Sequence, residues 1–170
     1  LETFYGNPVS EHADLHLDLN GIGGLLALSH QRYINIIAAI HYSADFGEAR
    51  IYRLASSSDK NSNNKRTMSS SFQGSQLFGE DVTYSDILSR IGRGSVIKTT
   101  GLTEEYDWKT YQESFGLTQS SENSNQQPSR LPLFYIDPKG YIKPFIAGKA
   151  LEPSIGSTIL ALSDAEESVS

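Results

Sequence analysis

Near the start of the chain, four side chains with metal-binding chemistry recur at every second position: His12, Asp14, His16 and Asp18. In an extended strand, residues i, i+2, i+4 and i+6 project from one face, so this spacing would align two imidazoles with two carboxylates. Such a donor set suits zinc or a similar divalent ion, which takes nitrogen and oxygen ligands at close range. A divalent metal is therefore the one cofactor the sequence suggests, and a metal-dependent hydrolase is the one enzyme class. A plainer account is preferred. Ala13, Leu15, Leu17 and Leu19 alternate with these residues, so the same pattern describes an amphipathic strand with a solvated outer face. No nucleophile is set up elsewhere: Ser29 and His30 are neighbours that a strand would point to opposite faces, and no Gly-x-Ser-x-Gly elbow occurs. With no cysteine, disulfides, thiolate metal sites and cysteine nucleophiles are all excluded.

The second constellation is aromatic. Tyr141 and Phe145 share one face of a regular strand, with Lys143 between them, and Tyr135 would join them across a hairpin. Patches of this kind usually belong to a core. Left exposed, the same surface would suit sugar stacking or a protein partner.

Those residues need elements to hold them. From Ala13 to Ala55 the apolar runs are short: Ala13 to Leu19, then Leu25 to Leu28, Tyr33 to His41 and Ala49 to Leu54. Asn20-Gly21 and the polar stretch from Asp45 to Gly47 mark turns, so the reading is a four-stranded meander. The alternative makes Ile34 to Ile40 a buried helix, since periodicity cannot separate the two in so short a run. Thr83 to Ile91 reads as a helix stopped by Gly92, and a second helix starts at Thr103 and runs to Gly116. Trp108, Tyr111 and Phe115 form a core-facing stripe on that second helix. Ser95 to Thr99 is a short strand. Leu133 to Ile136 and Tyr141 to Ile146 form a hairpin around Asp137-Pro138-Lys139-Gly140, and Ile155 to Leu162 adds a last strand.

Residues 56–71 and 120–129 are low-complexity tracts rich in serine and asparagine, read as flexible loops, and residues 164–170 form an acidic tail. The whole, 1–170, is read as a single β-rich domain. Its fold class is mainly β, an antiparallel meander or partial propeller-like sheets with one or two short helices. The balance of 14 basic against 20 acidic residues gives a net charge of -6 and no basic stripe, which argues against nucleic acid as a partner. No apolar run reaches the ~18 residues of a membrane span. The chain opens at Leu1 without a basic-plus-apolar leader, as a fragment or processed product would, so its compartment stays open.

Leu133-Phe134-Tyr135-Ile136-Asp137-Pro138-Lys139-Gly140-Tyr141-Ile142-Lys143, followed by Gly156 to Ser163, resembles a blade of the fungal fucose-specific lectins, which are β-propellers. Arg50-Ile51-Tyr52 is similar to that family's Arg-Val-Tyr, and the resemblance covers about a third of the chain. It implies a sugar pocket built from an arginine, a glutamate and a tryptophan of neighbouring blades. Of these, Arg50 has a counterpart, whereas Leu133 stands where a later blade should offer arginine and Pro144 where it should offer glutamate.

The expectation is a non-catalytic recognition domain acting in protein–protein assembly, with another chain or a second copy as partner. Tyr135, Tyr141, Phe145 and Arg50 are its candidate binding residues. A carbohydrate-binding, lectin-like module is the first alternative. A metal-dependent hydrolase using His12, Asp14, His16 and Asp18 is the second.

Overall fold

A computed structural model describes residues 3–56, 74–117 and 128–164. Residues 57–71 and 120–127 of the two low-complexity tracts, and the tail beyond Asp164, lie outside the described residues. The chain divides into two compact units, Leu1–Gln76 and Leu77–Ser170.

The first unit corrects the meander. Helix α1 spans Glu11–His16, where a strand was expected. The Ser10 hydroxyl oxygen accepts a hydrogen bond from the Ala13 amide at 3.2 Å, so a serine N-cap starts a helix where the alternation has the period of a strand. Ala13 is buried while Leu15 faces solvent, a helical outcome for residues that a strand would place together. Strand β1 (Leu25–Ala27) is followed by helix α2 (Arg32–His41), a single turn α3 (Ser43–Phe46), a 3-10 turn (Glu48–Arg50) and strand β2 (Ile51–Arg53). The isoleucine-rich run is thus helical, as the alternative reading has it, but not buried, since Ile37 and Ile40 are exposed.

Strands β1 and β2 are parallel, with Leu25 opposite Ile51 and Ala27 opposite Arg53. Parallel neighbours need a crossover, and α2 supplies it. A third parallel strand, β3 (Ser75–Gln76), pairs with the far side of β2. Asn35 fixes the start of the crossover. Its side-chain oxygen accepts from the Ser29 amide at 2.9 Å and its side-chain amide donates to the Ser29 carbonyl at 2.8 Å. At Gly24 a Cβ would lie 2.6 Å from the Arg50 carbonyl oxygen, so only glycine admits this approach of the backbones.

The second unit follows its sequence more closely. Helix α4 (Tyr84–Gly92) opens with a capping box: the Thr83 hydroxyl accepts from the Asp86 amide, and the Asp86 carboxylate accepts from the Thr83 amide at 2.9 Å. Gly92 is the last helical residue, and Gly94, with φ +90°, makes the turn out of it. Strand β4 (Val96–Gly101) leads to helix α5 (Trp108–Ser114), which starts later than expected. Thr103 instead closes a tight turn, its hydroxyl accepting from the Tyr106 amide, and Asp107 caps the helix through the Thr110 amide at 2.8 Å.

Strands β5 (Arg130–Ile136) and β6 (Ile142–Pro144) form the expected hairpin, and β7 (Thr158–Ser163) completes the sheet. The sheet is antiparallel in the order β4-β7-β5-β6, so β7 is inserted between strands that a meander would leave adjacent in chain order. Leu102, Tyr111, Tyr135 and Ile159 form its core, with Trp108, Phe115 and Phe145 packed against them. Arg90 is buried and gathers three distant pieces of chain. It donates to Asp164 at 2.9 Å and to the Pro128 carbonyl at 3.0 Å, and Ser95 donates to the same Asp164 oxygen. Among the described residues 29% are helical and 25% strand, in one parallel and one antiparallel sheet, so the fold is mixed α/β rather than clearly mainly β.

Candidate functional site

Because α1 is a helix, the four expected metal ligands do not share a face. His12 and His16, one turn apart, stay together with ring centroids 4.0 Å from each other. Asp14 points elsewhere and accepts a hydrogen bond from His41 Nε2 at 2.7 Å, tying α1 to the end of α2. Asp18 lies beyond the helix, where its carboxylate accepts from the Asn20 amide at 2.9 Å. Among the described residues no group of three or more histidine, aspartate or glutamate side chains gathers to hold a metal ion. Nearby, the Tyr42 hydroxyl donates to the Pro8 carbonyl. Burial, and after it the Asp14 and Asp45 charges, push that phenol above its ordinary range.

Of the aromatic candidates, Tyr135 and Phe145 come together and Tyr141 does not. Tyr135 is buried in the core of the second unit, and Phe145 lies beside it with ring centroids 5.4 Å apart. Phe145 stacks on Trp108 at 5.2 Å, and Trp108 on Tyr111 at 5.3 Å, both pairs nearly parallel. Tyr141 stands in solvent at 65% exposure. Arg50 belongs to the first unit, at the end of the 3-10 turn. Lys143, between Tyr141 and Phe145 in sequence, is held by Asp137 at 3.0 Å. That pairing, aided by the Tyr141 and Lys139 amides, lowers the Asp137 carboxyl below its usual range and raises the Lys143 ammonium.

Beside the aromatic stack, a cleft of about 880 Å³ opens between the start of α5 and residues 149–155. Trp108, Phe145 and Leu151 give it an apolar wall, and Lys109, Lys149 and Glu152 give it a charged rim. Asp107 also lines it; the Thr110 amide keeps that carboxyl below its ordinary range.

One feature of the first unit was hidden by the strand reading. Helix α2 buries Asn35, Ala38 and Ala39 on one side. Tyr33, Ile37 and Ile40, at i, i+4 and i+7, stand exposed at 59%, 45% and 41%. The spacing is plain in the sequence once the run is taken as helical. Leu26 of β1 and Leu28 just after it add two further exposed leucines. No protein-family model, curated protein or solved structure matches this chain.

Proposed function

We propose that this chain is a non-catalytic recognition module that works in protein–protein assembly, with the outer face of α2 as its contact surface and a second copy as its first partner. The observation that carries this reading is the exposed stripe Tyr33, Ile37 and Ile40. A surface helix ordinarily turns its large apolar side chains inward and its small or polar ones outward. Here two alanines and an asparagine are buried, Ile34 and Ile36 are half-buried, and Ile37 and Ile40 stand exposed. Covering apolar surface is favourable by roughly 25 cal/mol per Å², so an apolar stripe in water favours association. A helical stripe can pair with its own copy about a two-fold axis, the commonest symmetry of soluble oligomers.

The absence of cysteine offers a direct test. Tyr33→Cys, Ile37→Cys and Ile40→Cys each introduce a single thiol. Under mild oxidation, at least one of the three should give a disulfide-linked dimer in high yield, and Lys109→Cys, outside the stripe, should not. Equal cross-linking at Lys109 and at all three stripe positions would contradict the reading.

The cleft supports a second reading, carbohydrate recognition, because it sets aromatic rings beside polar groups that can hydrogen-bond hydroxyls. Trp108 is the sole tryptophan, so its emission reports on the cleft alone. Saturable change with a fucosylated or other neutral saccharide, lost in Phe145→Ala, would favour this reading. An unchanged spectrum across a glycan panel would remove it.

A further inference from the structure

The helical geometry that breaks up the four-ligand row leaves a smaller site intact. We propose that His12 and His16 form a two-imidazole binding site for a borderline divalent transition ion, with Zn²⁺ as its first candidate. Residues four apart on a helix lie one above the other, and the two rings are already at 4.0 Å between centroids, tilted by 40°. His16 Nδ1 sits 2.8 Å from the His12 carbonyl oxygen. A carbonyl can only accept, so in the neutral ring Nδ1 carries the proton and Nε2 presents its lone pair. Metal-binding histidines are commonly fixed in this way, the second nitrogen donating to a backbone carbonyl. The His12 ring is steadied by Phe4, with centroids 5.6 Å apart. Among the described residues no ion pair engages either ring.

The other candidate ligands are committed elsewhere: Asp14 to His41, and Asp18 to the Asn20 amide. Two imidazoles would therefore be the protein's whole contribution, with water completing the coordination shell. Such a set discriminates by ligand type. Imidazole nitrogen suits zinc, nickel and copper, whereas magnesium and calcium take oxygen ligands. A bridging ion would also clamp the turn between its ligands, and α1 has only six residues with which to hold itself. This site is independent of the α2 stripe.

The test is calorimetric titration of the full chain with ZnCl₂ in excess MgCl₂, using the wild-type protein and the variants His12→Ala, His16→Ala, the double variant and His30→Ala. One saturable zinc per chain is expected. Each single substitution at the site should weaken it by about tenfold or more, about 1.4 kcal/mol, the double variant should abolish it, and His30→Ala should leave it unchanged. A second readout needs no variant: the ring carbon–proton signals of His12 and His16 should shift together with zinc and remain still with magnesium. Absence of saturable binding, full affinity in the double variant, or zinc-dependent shifts confined to His30 and His41 would each overturn the proposal.

Discussion

The two units build their cores from side chains of different size. In Leu77–Ser170, Tyr111, Tyr135 and Ile159 are buried and Trp108, Phe115 and Phe145 pack around them. Among the described residues of Leu1–Gln76, five of the eight buried apolar residues are alanines (Ala13, Ala27, Ala38, Ala39 and Ala55), beside Tyr42, Ile51 and Leu54, while Tyr33, Ile37 and Ile40 lie outside. A helix of the same length could have been turned inside out by exchanging those positions. The difference lies in the size of what is buried, since the second unit too leaves Leu88, Ile91, Ile97 and Ile142 exposed. A core of alanines gains little from burial, since the favourable term scales with area.

The largest effect expected from this contrast lies in the aromatic core. Tyr111→Ala removes a fully buried ring that touches Tyr106, Trp108 and Phe115. It should cost about 3–5 kcal/mol of unfolding free energy in a urea titration, the usual range for aromatic-to-alanine changes in a core. A loss below about 1 kcal/mol would mean that the second unit does not depend on this cluster, and the contrast would fail.

A smaller effect concerns the hairpin of the second unit. The Asp137 carboxyl is held below its ordinary value by Lys143 and by two backbone amides. Its contribution to stability is therefore fully present above the unfolded carboxylate value and is lost as pH falls through the lower folded value. Lys143 is raised by the same contact, so its contribution is present below the unfolded lysine value and lost as pH rises through the folded one. The turn should thus be tightest between those limits. Exchange protection of the Lys139 and Tyr141 amides should drop at the acid end and lose that acid dependence in Asp137→Asn. Acid-independent protection in the wild-type chain would show that the carboxylate does not hold the turn.

How far the sequence foretold this structure also differs between the units. The Asp137–Gly140 turn, the Thr83 start and the aromatic spacing of Trp108, Tyr111 and Phe115 are local signals, each carried by residues within a few positions of one another, and the structure follows them. The α5 start lies later than Thr103 suggests, because Thr103 closes a turn with Tyr106 and Asp107 takes the cap. In the first unit the decisive information is not local. Whether Ile34 to Ile40 becomes strand or helix depends on β1 and β2 pairing in parallel, which no short window records. The residues of the proposed zinc site are legible in the sequence and their geometry is not: the His12-to-Asp18 alternation has the period of a strand, and the Ser10 cap starts a helix there instead. The α2 stripe stayed invisible for the same reason, since Tyr33, Ile37 and Ile40 form one face only at helical spacing.

The claim at the centre of this account is that the outer face of α2 is a contact surface. Sedimentation velocity over a concentration series, on the wild-type chain and on Ile37→Glu/Ile40→Glu, tests it most directly. The account predicts reversible dimerisation of the wild type, a monomer at every concentration for the variant, and an unfolding free energy changed by no more than about 0.5 kcal/mol per exposed substitution. A wild-type chain that stays monomeric throughout the series, or a variant that dimerises as the wild type does, would contradict it.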